Sequence, residues 1–469
     1  MSPRRKHNGR QEELPGIGAP PVVEFAKVAT LAGAGTDPSN PSDPSDQSDS
    51  GIAPAAPHAV PLGYKRTEIG VIPKEWEIQR LGLVCDVRDG THESPQFFEH
   101  GVPFVTSKNI VNGRLDLANV SYISKTDAVE FDKRSKVDRH DILMSMIGTI
   151  GSVVLVDCEP NFCIKNVALL KPRKVVPPFL VHLISSPIFQ QYLTGNLDGG
   201  IQKFVSLGSL RQLFVSLPGE VEQRAIAEAL SDVDALLGKQ EQLLAKKRDL
   251  KQAAMQCLLT GQQRLPGFTG KWEVKRLGDV ADVKTGPFGS SLHESDYVRD
   301  GTPIITVEHL GEFGVMHINL PLVSNFDRQR LRSYSLEIGD IVFSRVGSVD
   351  RNALIRPDEA GWLFSGRLLR VRPETLKAFS PFLSHQFHGE TFKSAVRDVA
   401  VGQTMPCLNT QILKNISVVL PSLPEQIAIA AVLSDMDAEI AALEARQDKT
   451  RALKQGMMQE LLTGRIRLI

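Results

Sequence analysis

An internal repeat constrains the fold of this 469-residue chain more than any other feature of its sequence. Lys74-Glu-Trp76-Glu-Ile-Gln-Arg80-Leu81-Gly82 returns as Lys271-Trp272-Glu-Val-Lys-Arg276-Leu277-Gly278, and Gly101-Val-Pro103 returns as Gly301-Thr-Pro303. Asp141-Ile-Leu-Met-Ser145-Met-Ile-Gly148-Thr149 returns as Asp340-Ile-Val-Phe-Ser344-Arg-Val-Gly347-Ser348. Leu217-Pro218 with Glu222-Gln223 returns as Leu420-Pro421 with Glu425-Gln426, and Leu258-Leu-Thr-Gly261 as Leu461-Leu-Thr-Gly464. The offset is 196 residues between the tryptophans Trp76 and Trp272, and 203 from Pro218 and Pro421 onwards. The first part of each copy therefore carries small insertions, whereas the second is copied without gaps. Five matches in one order indicate that a whole structural unit was duplicated.

Each copy has two textures. Short β-branched runs punctuated by Gly, Pro and Asn predict strands and loops from about residue 63 to 218 and from 267 to 421, with helices near 178–193 and 381–396. Residues from about 220 to 260 and from 424 to 463 instead carry apolar side chains at seven-residue steps. Leu230, Leu237, Leu244 and Leu258 form one column, and Leu236, Leu243, Leu250 and Cys257 a second. Leu433, Ile440 and Leu461 repeat the first column, with Met436, Leu443 and Met457 beside it. Acidic residues follow Pro218 and Pro421, and Gly261 and Gly464 suit helix C-terminal stops. About 40 helical residues make a rod of about 60 Å, which needs a partner to bury its apolar seam. The other copy is the available partner. A seam through Leu230, Leu237, Leu244, Leu433, Ile440 and Leu443 is expected.

The fold class expected is α+β: two tandem globular α/β domains related by a pseudo-twofold, separated by two long antiparallel coiled-coil helices. The boundaries are a disordered extension at 1–61, a first globular domain at 62–219, a first long helix at 220–261, a second domain at 262–421 and a second long helix at 422–469. The extension is assigned from its polar Pro-Ser-Asp tract at 38–50, which holds too few apolar groups to fold. It is either a disordered tail or a stretch upstream of the translated start.

No apolar run of about 18 residues suggests a membrane partner, and no secretory signal core is evident. The five cysteines contain no CxxC pair, which points to a reducing cytoplasm. The 54 basic and 54 acidic residues give a formal net charge of +0. That balance argues against a nucleic-acid partner unless the basic groups share one face or other subunits supply phosphate contacts.

Gly63-Tyr-Lys-Arg-Thr-Glu-Ile-Gly-Val-Ile-Pro73 with Trp76 resembles the opening of specificity subunits of type I restriction-modification enzymes. Asp89-Gly-Thr-His92-Glu-Ser-Pro95, Gly101-Val-Pro-Phe-Val-Thr-Ser-Lys-Asn109, the Pro-x₃-Glu-Gln helix starts and the Leu-Leu-Thr-Gly exits are similar to that family as well. The resemblance runs from about residue 62 to the C-terminus. It implies two target-recognition domains, each reading one half of a split site in double-stranded DNA, held apart by the helices. It also implies docking of modification (methyltransferase) subunits and restriction (translocase/endonuclease) subunits. S-adenosylmethionine, ATP and Mg would sit on those partners, and this chain would bind no cofactor or metal and have no catalytic residue. The second copy departs from the pattern: Lys284-Thr-Gly-Pro-Phe-Gly-Ser290 stands where the first has its Asp-Gly-Thr-His start, and Asp350 replaces Gly151.

Base contacts are expected in the loops that differ between the copies. In the first these are Thr106, Ser107, Lys108 and Asn109, then Ser145, Met146, Gly148 and Thr149, then Gln202 and Lys203. In the second they are Thr306, Glu308 and His309, then Ser344, Arg345 and Ser348, then Gln403 and Thr404. Asn and Gln pair with adenine and Arg or Lys with guanine, which makes Arg345 the sharpest candidate. The competing reading is that these polar groups only cap turns. Trp76 and Trp272 read as core anchors, and His385 with His388 as ordinary histidines without a metal cluster.

The sequence lacks a GxxxxGK[ST] phosphate loop and an Asn-Pro-Pro-aromatic tetrapeptide of adenine methyltransferases. A non-catalytic specificity subunit is therefore the favoured reading. The alternatives are a stand-alone DNA-binding regulator and a coiled-coil interaction scaffold. Replacing Leu237 and Leu244 together with Asp should place carboxylates in the seam and abolish co-purification with modification subunits. Co-purification at the wild-type yield would move the seam elsewhere.

Overall fold

A computed structural model of the chain describes residues 60–198, 203–287, 292–311, 314–400, 402 and 406–468. The extension expected at 1–61 lies, up to residue 59, outside the described residues. The fold is α+β, and each copy builds the same sheets from its short β-branched runs. In the first copy a four-stranded antiparallel sheet has the order Val153–Leu155, Ile142–Ser145, Val167–Pro172, Cys85–Asp89. The second copy repeats it with Asn352–Leu354, Ile341–Ser344, Leu368–Pro373 and Ala281–Thr285. A smaller sheet follows in each, in which Val102–Val105 runs parallel to Cys163–Ile164, and Thr302–Ile305 parallel to Leu363–Phe364. A two-stranded ribbon closes each globular unit by pairing an early strand with its last, Glu77–Arg80 with Phe214–Leu217 and Glu273–Arg276 with Ser417–Leu420.

The last strand leads directly into a long helix, Glu220–Leu259 in the first copy and Leu423–Leu461 in the second. The repeated Glu-Gln pair at each start has a physical task. Gln223 donates to Pro218 O (2.9 Å) and accepts from Val176 N (2.9 Å), which joins the ribbon to the beginning of helix Pro177–Ser185. Gln426 does the same with Pro421 O (2.9 Å) and Phe379 N (2.8 Å). Glu222 is buried and receives Trp76 Nε1 (3.2 Å) and the Arg467 guanidinium (2.5 and 2.9 Å). Glu425, also buried, receives Arg264 at 2.5 and 2.6 Å. Each arginine follows the C-terminal end of the opposite helix, so two ion pairs on buried carboxylates tie one helix's start to the other's exit. Gly261 (φ +73°) and Gly464 (φ +70°) take the left-handed conformation that ends the helices.

The helices run antiparallel. Lys251 meets Asp437, while Lys454 meets Asp234 at 2.6 Å and Gln240 donates to Thr450 Oγ1 at 3.2 Å. Their ends complete the module cores. Ile226, Leu230, Met458, Leu461 and Leu462 belong to the core around Trp76, and Leu258, Leu259, Ile429, Ala430 and Leu433 to the core of the second module. Of the expected seam, Leu230, Leu244, Leu433 and Ile440 are buried, while Leu237 and Leu443 are half-buried. The second predicted column does not join it: Leu236, Leu243 and Leu250 are 42, 41 and 48% exposed. The seam instead alternates three- and four-residue steps and turns polar at its centre, with Gln240, Gln447 and Thr450 buried. No helix among the described residues is long and apolar enough to cross a membrane.

Each module also grips the helix pair through a histidine. His182 Nε2 lies 3.0 Å from Ser231 Oγ and its Nδ1 3.8 Å from Asp234, the residue that Lys454 holds. His385 repeats this with Ser434 at 3.0 Å and Asp437 at 3.8 Å, the residue that Lys251 holds. Burial pushes both imidazoles down to a pKa of about 4.

Two outcomes are expected. Leu433→Ala should cost about 2–5 kcal/mol in denaturant unfolding, and Leu236→Ala less than about 1 kcal/mol. The histidines set a pH dependence. Their folded pKa lies below the unfolded value of 6.5, so the unfolded chain binds more protons between the two values. Stability is therefore lost as pH falls through 6.5 towards 4, by about 2 kcal/mol per histidine at pH 5. Unfolding at pH 7 and pH 5 measures it, and the double variant His182→Gln/His385→Gln should lose that share of the slope.

Candidate nucleic-acid interface

In each module the two sheets meet at one edge, where the variable loops emerge. Val105 O accepts from Lys165 N (2.8 Å), and Val167, two residues on, pairs with Ser145. The ends of strands Val102–Val105 and Ile142–Ser145 are thereby brought within a few residues of each other. Gly90 sits at the junction, where a Cβ would lie 2.3 Å from Ile164 O. Gly286 is its counterpart, 2.1 Å from Ser365 O, and both glycines donate to the first residue of the neighbouring strand. The divergent second start thus keeps the one glycine that the close backbone approach requires.

On the first module, Gly148 and Thr149 form the exposed tip of the loop after Ser145, with Gly148 at φ +76° and open space around it. Ile147 bridges to Phe204 and Met146 O accepts from Val205 N (3.2 Å), which brings Lys203 beside this tip. Lys203 and Lys108 are exposed, and Ser107 is half-buried. On the second module Gly347 (φ +78°) and Ser348 form the matching tip. Val346 bridges to Cys407, and Arg351 reaches Leu310 O and ties the tip to the loop carrying Thr306, Glu308 and His309. Arg345 is half-buried, with Nη1 3.4 Å from Thr285 Oγ1 and 3.3 Å from Gly366 O.

Several candidates are committed to the loops themselves. Asn109 is buried; its Oδ1 accepts from Thr106 N (2.9 Å) and Thr106 Oγ1 (3.0 Å), and its Nδ2 donates to Asp116 O and Asn119 O. His309 takes the same place, with Nδ1 3.2 Å from Thr306 N and 2.9 Å from its hydroxyl. Ser145 and Ser344 are buried and donate to Ile147 O and Val346 O, and Met146 packs into the module core. These residues shape the edge, while Lys108, Gly148, Thr149, Lys203, Glu308 and Ser348 are exposed on it. Gln202, Gln403 and Thr404 lie outside the described residues.

The sequence reading did not list a second polar cluster at the junction of the first module. His92 joins Asp89 (2.8 Å) and Asn166 (2.7 Å), Lys165 donates to Ser94 Oγ (2.7 Å), and Arg134 pairs with the buried Asp89. The Asp89-Gly-Thr-His92 run was its visible signal. Asn166, at φ +52°, is the kind of residue that tolerates a left-handed turn. Among the described residues no group of three or more His, Cys, Asp or Glu could hold a metal ion. His385 and His388 turn to different partners, Ser434 Oγ and Ser384 O.

Comparison with known proteins gives these edges a context. The model of the type I restriction modification DNA specificity domain matches twice, at residues 73–246 and 269–451. The type I restriction enzyme MjaVIII specificity subunit of Methanocaldococcus jannaschii is 23% identical over 417 residues, covering 85% of this chain and 94% of that protein. The EcoKI specificity subunit of Escherichia coli K12 is 21% identical over 434 residues, covering 85% and 90%. In fold, the chain is similar to the S subunit of the type I restriction-modification system from M. genitalium, with TM-score 0.55, 16% identity, and 82% and 96% of the two chains covered. It is also similar to a chain from a structure of type I system complex assembly, with TM-score 0.51, 18% identity and coverage of 84% and 99%. The two matched segments span both modules and most of both long helices, and the chain belongs to the type I restriction modification DNA specificity family, with two specificity domains in tandem.

Proposed function

We propose that this chain is the non-catalytic specificity subunit of a type I restriction-modification complex, in which each module reads one half of a bipartite double-stranded DNA site. One observation carries the reading: two sheet frames of the same topology present unlike side chains at the same edge, at opposite ends of a paired-helix rod. Lys108 faces Glu308 in the repeat, Asn109 faces His309, and Met146 faces Arg345. A rigid spacer between two different readers measures the distance between half-sites, as dimer geometry does in other DNA-binding proteins. Exposed Lys108 and Lys203 suit phosphate contacts, and Arg345, whose Nη1 lies at the edge beside Thr285 Oγ1 and Gly366 O, is the candidate for guanine O6 and N7.

Modification subunits dock on the helices in this reading. Leu236, Leu243 and Leu250 recur every seven residues beside the seam and stay partly exposed, which is the pattern of a second helical interface. Those partners bring S-adenosylmethionine for adenine methylation, restriction subunits add ATP and Mg for translocation and cleavage, and both share the contacts to the DNA backbone. That division fits a chain whose own formal charge is +0, working in the cytoplasm.

Selection of bound DNA from a random duplex library by the assembled complex tests the reading. The wild type should enrich two half-sites at a fixed spacing. Arg345→Ala should relax one position of one half-site, by about 1–3 kcal/mol of discrimination, and leave the other half-site and the spacing unchanged. Enrichment of no sequence by the wild type would overturn the function. A shift in both half-sites would show that the modules do not read independently.

A further inference from the structure

The four side chains that join each module to the helix pair are the same in both halves. His182, Ser231, Asp234 and Lys454 form one clasp; His385, Ser434, Asp437 and Lys251 form the other. Every member has its twin 203 residues away, so the lysine of each clasp comes from the opposite half of the chain. The identity holds in a repeat whose edge loops have diverged at most candidate positions.

The location matters more than the energy. In the first module strand Val167–Pro172 has one end beside Ser145 at the reading edge, and its other end leads into helix Pro177–Ser185, which carries His182. Strand Leu368–Pro373 connects Ser344 to helix Ser380–His388 and His385 in the same way. Six residues of strand make a lever of about 20 Å. A tilt of about 10° at the clasp would move the reading edge by roughly 3.5 Å, which is one base-pair step of DNA. The leucines around each clasp attract without direction, and a module could roll on them at little cost. A hydrogen bond between an imidazole and a serine and an ion pair that spans both helices do have direction.

We propose that these clasps are positioning elements that hold each module at one tilt on the helix frame and so restrict the complex to a single spacing between half-sites. The proposal rests on the DNA-specificity reading above. Within each clasp Asp234 or Asp437 is the hub: it faces the histidine of its own module and the lysine of the opposite helix. His182 and His385 are buried and stay neutral near pH 7, so they act as hydrogen-bonding wedges.

The test is the same library selection, read for spacing. Asp437→Asn keeps shape and removes the charge; it should raise recovery of sites one base pair longer or shorter at least tenfold over wild type, with the bases of both half-sites unchanged. Asp234→Asn should do the same from the other module. Lys251→Arg keeps the ion pair and should retain the single spacing. Ser434→Ala removes only the hydroxyl that meets His385 and leaves the helix intact; should Asp437→Asn fail to assemble, this variant decides by the same criterion. An unchanged single spacing in the assembled variants, even with a lowered melting temperature, overturns the proposal and leaves the clasps as stabilising contacts. Failure of the underlying function is separate, because then the wild type enriches no sequence.

Discussion

The architecture depends on the pairing of two antiparallel helices that cannot exist apart. A helix of 40 residues with one apolar stripe leaves that stripe in water unless something covers it. Here each helix covers the other, and the ends of both do more. They supply the missing wall of each module, so that Leu461 and Leu462 lie with Trp76 and Leu258 lies with Leu433. Buried Glu222 and Glu425 would be costly alone, and the arginines from the opposite helix exits make their burial tolerable. Hydrophobic burial supplies the cohesion of the frame, and these ion pairs, with the polar seam centre, select the antiparallel register.

With the frame held this way, variation can gather where it does no structural harm. The strand-end loops carry little of the core, and the interior of their turns is served by a few buried groups. Asn109 and His309 are chemically different yet each binds a threonine backbone and hydroxyl. The turn is preserved while its outer residues change from Lys108 to Glu308. A basic and an acidic group at equivalent places suit different bases and different local potentials.

The repeat, the helices and the seam leucines were legible because they are periodic, and periodicity survives divergence. The Leu236 column was equally visible in the sequence, because seven-residue spacing reveals a stripe but not which way it faces. Only the burial of Gln240 and Thr450 between the helices shows which stripe is inside. The loop residues were harder for a related reason. Asn109 has the chemistry of a base reader and of a turn lock, and the choice depends on Asp116 and Asn119, which come near it only in the folded chain. Gly286 was hidden because its surroundings had changed, while the backbone approach that demands it had not.

The exchange of helix ends has a consequence for the order in which the protein is made. The core around Trp76 includes Met458, Leu461 and Leu462, and Arg467 reaches Glu222 and Glu75. The first module to leave the ribosome is therefore the last to be finished, and it waits for almost the whole chain with one wall of its core open. The second module receives Leu258 and Leu259 from a helix already synthesised and can close once Ile429, Ala430 and Leu433, at the start of its own helix, have followed its strands. A chain broken off near its C-terminus would thus lose the integrity of the module farthest away in sequence, and it would expose apolar surface at its beginning.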